Sequence, residues 1–392
     1  MENLQKENVV NDRRIGFWSN VVYADKLWFV SNKHEFMCMD VKTGCTEYVD
    51  WKECQEKETY IVTDKMMAYR TSIYWVDFYK RYIHQYNKES NEYHKYPVLE
   101  IPNADIHNDY IIGMYLYKDA IWFFFKGIKQ IVMFDLIKKK WVTYSKQYDE
   151  AKDNDDERNE RVNRCSAQVD DKVYLFQNGG RLLKLNLNTF EHEWVVLPNE
   201  LTEIVRAIWR DDSFFILTHT GNVYIWNERT GSVKEIYCSQ GGECPFGTMA
   251  VTEHKVFLLP NQTEEILIVD LQNQNKVKRA ECPTNLQYVD SIYAKYSQYT
   301  EDSLYIWFDN RRSNYILRIN KENEQIEWIK PQLPTVQEEW THGRKRNKDF
   351  VLYEEKESLK HLIEMQRQDN QRADSDKNTG ILIWNALINM KI

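Results

Sequence analysis

The sequence predicts an all-β protein built as a closed ring of small four-stranded sheets, and three observations carry that prediction. One phrase recurs seven times: an aromatic inside an apolar run, then an Asp or Asn 12 to 15 residues later that closes a second apolar run. The aromatics are Trp28, Tyr74, Trp122, Tyr174, Phe215, Phe257 and Tyr305, and the paired residues are Asp40, Asn87, Asp135, Asn186, Asn227, Asp270 and Asn320. Successive aromatics lie 46, 48, 52, 41, 42 and 48 residues apart, and no helical periodicity runs inside the units. A period in the forties is the size of one four-stranded propeller blade. Residues 15–331 are therefore expected to form a seven-bladed β-propeller of antiparallel blades, after an N-terminal tail of residues 1–14 and before an extension of residues 332–392.

The individual elements follow from local chemistry. Short runs such as Leu27-Trp28-Phe29-Val30 and Val173-Tyr174-Leu175-Phe176 are too brief for helices. Their β-branched and aromatic content reads as strands buried on both faces. One blade cannot cover both of its faces, so neighbours must, and the phrase repeats around a ring. Three residues before the aromatic stand Asp25, Asp119, Asp171, Asp212 and Asp302. These suit the turn between the first and second strands, with the carboxylate accepting nearby backbone N–H groups. The Asp or Asn at the end of the third strand opens a second turn, as in Asp40-Val-Lys-Thr-Gly44 and Asn227-Glu-Arg-Thr-Gly231, where the closing glycine supplies a positive φ. An aromatic then follows on the fourth strand: Tyr48, Trp141, Trp194 and Trp328.

This layout resembles the kelch family, whose unit carries an aromatic-apolar strand, a glycine doublet, an apolar strand ending in Asp, and a Trp six residues on. Val173-Tyr-Leu-Phe-Gln-Asn-Gly179-Gly180 nearly reproduces the doublet, and Asp135 to Trp141 has the six-residue spacing. The resemblance covers residues 15–331; six units lack the doublet, and the chain has only 13 Gly. It implies a diverged kelch-like propeller that serves protein interaction. Some members of that family are enzymes with metal or radical-cofactor sites, but no residue set here matches one, so no cofactor is expected.

Two segments stand outside the repeat. Residues 148–162, rich in Asp and Glu, interrupt units three and four and read as a solvated insertion, because they lack the glycine and terminal Glu of a calcium loop. After Pro334 come a basic run, residues 343–348, a helical stretch from Ser358 to about Arg372, and an apolar stretch from Thr379 that is expected to pack on the ring or on that helix.

Composition narrows the function. The net charge of −8 disfavours nucleic acid as a partner. The N-terminus has no apolar signal-like region, and no apolar stretch reaches membrane-spanning length. The seven scattered cysteines read as reduced thiols of a cytoplasmic protein, and Cys238 with Cys244 fits no zinc spacing. None of the nine His shows metal-ligand spacing, and no nucleophile elbow, HExxH helix, phosphate loop or dinucleotide fingerprint occurs.

The turns between second and third strands carry eight Lys or Arg against four Asp or Glu, while the repeated Asp turns fall on the opposite face. The basic face is the expected recognition surface, with Tyr79, Arg81, Tyr82, Arg181, His219, Arg311 and Arg312 as its candidate binding residues. Arg offers forked donors to carboxylate or phosphate, and Tyr offers rigid amphipathic area. The expected function is a non-enzymatic interaction scaffold for a protein, an acidic peptide or an anionic glycan. The alternative is a carbohydrate-active hydrolase or lyase with carboxylates converging at the channel.

Overall fold

The computed structural model describes residues 17–31, 36–49, 65–77, 82–97, 111–125, 130–147, 163–177, 179–239, 245–260, 265–282, 294–299, 303–308, 315–332 and 334. The chain divides into two units, Met1–Pro334 and Thr335–Ile392, and every described residue belongs to the first. The acidic insertion falls between two described strands, and it and the helical extension lie outside the described residues.

Seven four-stranded antiparallel sheets follow one another in chain order. Blade 1 comprises β1 (Phe17–Tyr23), β2 (Lys26–Ser31), β3 (Phe36–Asp40) and β4 (Thr46–Tyr48). Blade 2 comprises β5 (Lys65–Tyr69), β6 (Ser72–Asp77), β7 (Tyr82–Asn87) and β8 (Glu92–Pro97). Blade 3 comprises β9 (Ile111–Tyr117), β10 (Ala120–Phe125), β11 (Gln130–Asp135) and β12 (Lys140–Gln147). Blade 4 comprises β13 (Asn163–Val169), β14 (Lys172–Gln177), β15 (Arg181–Asn186) and β16 (His192–Val196). Blade 5 comprises β17 (Ile204–Arg210), β18 (Ser213–Thr218), β19 (Val223–Trp226) and β20 (Val233–Tyr237). Blade 6 comprises β21 (Phe246–Val251), β22 (Lys255–Pro260), β23 (Glu265–Asp270) and β24 (Lys276–Glu281). Blade 7 comprises β25 (Ala294–Tyr299), β26 (Ser303–Phe308), β27 (Ile316–Asn320) and β28 (Ile326–Ile329). First strands of successive blades lie against one another, β9 on β13, β13 on β17, β17 on β21 and β21 on β25, so they line the centre of the ring.

The repeated aromatic has one job in every blade. Side chains alternate along a strand, so in β2 Trp28 and Val30 join the core shared with blade 2, while Leu27 and Phe29 join the core shared with blade 7. Tyr74, Trp122, Tyr174, Phe215 and Phe257 likewise face the next blade. Tyr305 of blade 7 faces blade 1 and closes the circle. There are thus seven apolar clusters, one for each junction, and each buried Leu, Val or Phe in them contributes about 1.5–3 kcal/mol by leaving water.

The Asp or Asn that ends each third strand builds its turn with its own side chain. Asp40 Oδ1 accepts the N–H groups of Lys42 and Thr43 at 2.9 and 2.8 Å. Asn186 Oδ1 accepts those of Asn188 and Thr189 at 2.8 and 3.0 Å, and Asn320 those of Glu322 and Asn323 at 2.9 and 3.0 Å. Asn87, Asp135 and Asp270 do the same, and Asn227 Oδ1 accepts the N–H and the hydroxyl of Thr230. The reason for the Asp before the second strand differs from the expected carboxylate cap. Ala24 and Asp25, Lys118 and Asp119, and Asp211 and Asp212 all have φ between 46° and 59°. These are two-residue hairpin turns with both central residues left-handed, a conformation that Asp tolerates better than most residues. The two kinds of turn share one face and are stitched together: Leu136 N–H donates to Asp119 O at 2.9 Å, and Leu187 N–H to Asp171 O at 2.7 Å.

A strap reinforces closure between blades 7 and 1. Gln332 runs parallel to Cys45 just before β4; its N–H donates to Gly44 O at 2.7 Å, and Thr46 N–H donates to Gln332 O at 3.0 Å. Gly44 has φ 75°, and a Cβ there would sit 2.8 Å from Lys330 O, so only glycine fits beneath the strap.

Candidate functional site

Three of the seven sequence-predicted residues fall among the described ones, and all three stand at the ends of second or third strands, opposite the Asp turns. Tyr82 opens β7, with Lys95 Nζ 4.8 Å from its ring centroid. Arg181 opens β15 and is exposed. Gly179 and Gly180, with φ of 74° and 68°, lead into it, and Gly180 O accepts Leu197 N–H at 2.7 Å. His219 follows β18, is exposed, and donates its N–H to Glu203 O at 2.9 Å. These residues belong to blades 2, 4 and 5; they share a face of the ring but no mutual contact among the described residues. Tyr79, Arg81, Arg311 and Arg312 lie outside the described residues.

The structure adds two neighbours to Arg181. In the pairing of β15 with β16, Arg181 stands opposite Val196 and Leu183 opposite Trp194. Val196 is 82% exposed and Trp194 43%. The other fourth-strand aromatics pack inward: Tyr48 on the core between blades 7 and 1, Trp141 on that between blades 2 and 3, and Trp328 on that between blades 6 and 7. At the junction of blades 3 and 4, the turn residue Phe190 packs 5.8 Å from Trp122 instead, and Trp194 stays outside. An exposed Trp and an exposed Arg are residue types enriched at interfaces, and Val196 adds apolar area between them. Sequence reading placed Trp194 with the structural aromatics because it stands eight residues after its capping residue, as Tyr48 and Trp328 do; in blade 4 Phe190 of the preceding turn packs on the junction in its place.

On the opposite face the expected acidic field is tied up in structure. Backbone N–H groups, Thr43 first, hold the Asp40 carboxyl below its usual range, and Lys138 N–H leads the same effect on Asp135. Side chains of the turn between third and fourth strands reach back to the preceding blade. Lys139 of blade 3 donates to Tyr74 OH at 2.7 Å and lies over its ring at 5.1 Å. Burial pushes the Tyr74 phenol up to about 12. Asn188 of blade 4 accepts from Tyr117 OH at 2.7 Å and from Lys118. Glu228 of blade 5 accepts from Tyr174 OH at 2.9 Å and pairs with Lys184. Glu324 of blade 7 accepts from Thr252, from His254 N–H at 3.0 Å, and from Lys255 at 3.0 Å. Burial raises the Glu324 carboxyl, yet those bonds together bring it below its usual range.

At the inner end of this face, Ile208, Trp209, Arg210, Val251, Thr252, Glu253 and Lys321 line a recess of 350 Å³ between blades 5 and 6. Among the described lining residues Glu253 is the one carboxylate, with Arg210 and Lys321 as the cations. No group of three His, Cys, Asp or Glu among the described residues is placed to hold a metal.

No family model matches the chain, and no curated protein matches it. Solved structures do. A streptogramin B lyase structure superposes with a TM-score of 0.53 at 14% identity, over 80% of this chain and 94% of that one. PorZ of Porphyromonas gingivalis, described as an essential bacterial surface component of the type-IX secretion system, gives 0.51 at 11% identity. The match covers 83% of this chain and 39% of PorZ. At these identities the likeness extends to the propeller fold.

Proposed function

We propose that this propeller is a non-enzymatic scaffold of the cytoplasm, kelch-like in layout, whose face opposite the Asp turns docks a protein partner with an acidic surface. The observation that carries the reading is the exposure of Trp194 and Val196 beside Arg181. A monomer gains nothing by leaving a Trp outside a junction where its counterparts are packed, whereas a partner gains a rigid apolar anchor ringed by donors. Tyr82 and His219 stand at the same end of their strands and extend the surface. The Asp-turn face suits binding less, because its carboxylates and lysines are engaged in turns and junctions. Five described cysteines, Cys38, Cys45, Cys165, Cys238 and Cys282, are free thiols, which supports the cytoplasmic placement.

Crosslinked affinity purification of the full chain from its native cells tests this. A specific protein should co-purify with the wild type, be lost with Arg181→Glu combined with His219→Glu, and dissociate with added salt. Retention of the same protein by that variant at every salt concentration would defeat the proposal.

A further inference from the structure

The recess between blades 5 and 6 lies at a junction that the reach-back contacts leave alone. Gln272, in the turn of blade 6 that would cross to blade 5, bonds His254 of its own blade instead, Nε2 to Nδ1, at 3.0 Å. Among the described residues no side-chain hydrogen bond or cation–ring contact runs from that turn to blade 5. The sequence supplies a reason. Blades 2 and 4 offer the hydroxyls of Tyr74 and Tyr174 at the repeated aromatic position, whereas blade 5 has Phe215 there, which offers none.

The recess has an apolar floor. Ile208 of β17 and Val251 of β21 both pack on the core between blades 5 and 6. Trp209 adds an aromatic wall, its ring held 4.7 Å from that of Phe214. The remaining groups are charged. Arg210 gives its Nε–H to Asp211 at 3.0 Å, and a guanidinium so held can still turn its terminal nitrogens to a second carboxylate.

Lys321 arrives from blade 7. Asn320 caps the turn that carries it, and Glu324 of the same turn accepts from Thr252 and from His254 N–H, which anchors the turn on blade 6 beside the recess. Glu253 follows Thr252 and brings the carboxylate. The described residues of three blades thus bring an apolar floor, two cations and one carboxylate to one recess. The bonds of Asn320, Glu324 and Thr252 hold its walls in place without a ligand.

We infer that this recess binds a free α-amino acid with a large apolar side chain. The ligand carboxylate meets Arg210 and Lys321, its ammonium meets Glu253, and its side chain covers Ile208 and Val251 beside Trp209. A ligand that is only anionic would confront Glu253, and one that is only cationic would confront Arg210 and Lys321. The volume of 350 Å³ falls at the lower end of small-molecule sites, about 300–1,000 Å³, which suits a single amino acid. The recess is on the face away from Arg181 and Trp194, so the inference does not rest on the scaffold reading.

Titration calorimetry on the full chain tests the assignment, with L-phenylalanine, L-leucine and L-tryptophan as probes. At least one should bind, and 3-phenylpropanoate, which lacks the ammonium, and 2-phenylethylamine, which lacks the carboxylate, should each bind at least about tenfold more weakly than L-phenylalanine. Arg210→Ala should weaken the amino acid by a similar factor while keeping the wild-type melting temperature. Glu253→Gln should bring L-phenylalanine and 3-phenylpropanoate to comparable affinities. The inference is overturned if none of the three amino acids binds the wild type, if removing either charged group from the ligand leaves its affinity unchanged, or if a folded variant carrying both substitutions binds as the wild type does.

Discussion

Lys139 of blade 3 crosses to blade 2 and donates its ammonium to the Tyr74 hydroxyl at 2.7 Å, over a ring that is itself 2% exposed. The same aromatic that defines the repeat is thus held from the next blade by a polar side chain as well as by apolar packing. Lys139→Ala removes the donor and the cation over Tyr74, and also the cation 5.9 Å from the Tyr96 ring. The expected loss is about 1–2 kcal/mol in equilibrium urea unfolding. Lys139→Met, which keeps the stem but not the charge, should lose less.

Glu324 makes the corresponding contact between blades 7 and 6 and is more enclosed, at 9% exposed. Glu324→Ala leaves Lys255 and the His254 N–H without their acceptor. The expected cost is about 2–3 kcal/mol, read as a lower urea midpoint with faster amide exchange at Thr252 and His254.

Gly44→Ala tests the strap. The substitution places a Cβ against Lys330 O in a left-handed conformation, so it should destabilise the protein by about 1–3 kcal/mol and deprotect the amides of Thr46 and Gln332. Gln332→Ala keeps the backbone pairing and loses the side-chain bonds to Thr43 O at 3.2 Å and from Cys45 Sγ at 3.4 Å, both exposed, so it should be milder.

Acid sensitivity follows from the Asp turns. The carboxyls of Asp40 and Asp135 are lower in the folded chain than their ordinary value of 3.8, because they accept backbone N–H groups. Their contribution is therefore complete above the unfolded pKa and is lost as pH falls through the folded one. Four blades use Asn at this position and keep the same turn. Asp40→Asn with Asp135→Asn should match wild type in melting temperature at neutral pH and exceed it below about pH 4, in a thermal series across pH.

The repeat was legible because its function is local and uniform. Each of the seven aromatics faces the following blade, and each of the seven Asp or Asn residues caps its own turn, so period and spacing appear directly in the sequence. The reach-back contacts were not legible. Lys139, Asn188, Glu228 and Glu324 share neither a single offset after the capping residue nor a common chemistry, since each answers whatever its neighbour offers. The placement of Arg181 and His219 at the strand ends opposite the Asp turns was readable from the repeat. The exposure of Trp194 was not, because it depends on Phe190 occupying the adjoining junction.

Trp194 gives the most direct test of the scaffold reading, because the account assigns it to binding and Trp141, a fourth-strand aromatic packed on a junction, to folding. Trp194→Ala and Trp141→Ala should be compared with wild type for melting temperature and, by calorimetry, for affinity toward the co-purified partner. The account predicts that Trp194→Ala keeps the wild-type melting temperature and loses about tenfold or more in affinity, while Trp141→Ala is destabilised by about 2 kcal/mol or more. A Trp194→Ala protein that binds the partner as wild type does would contradict it.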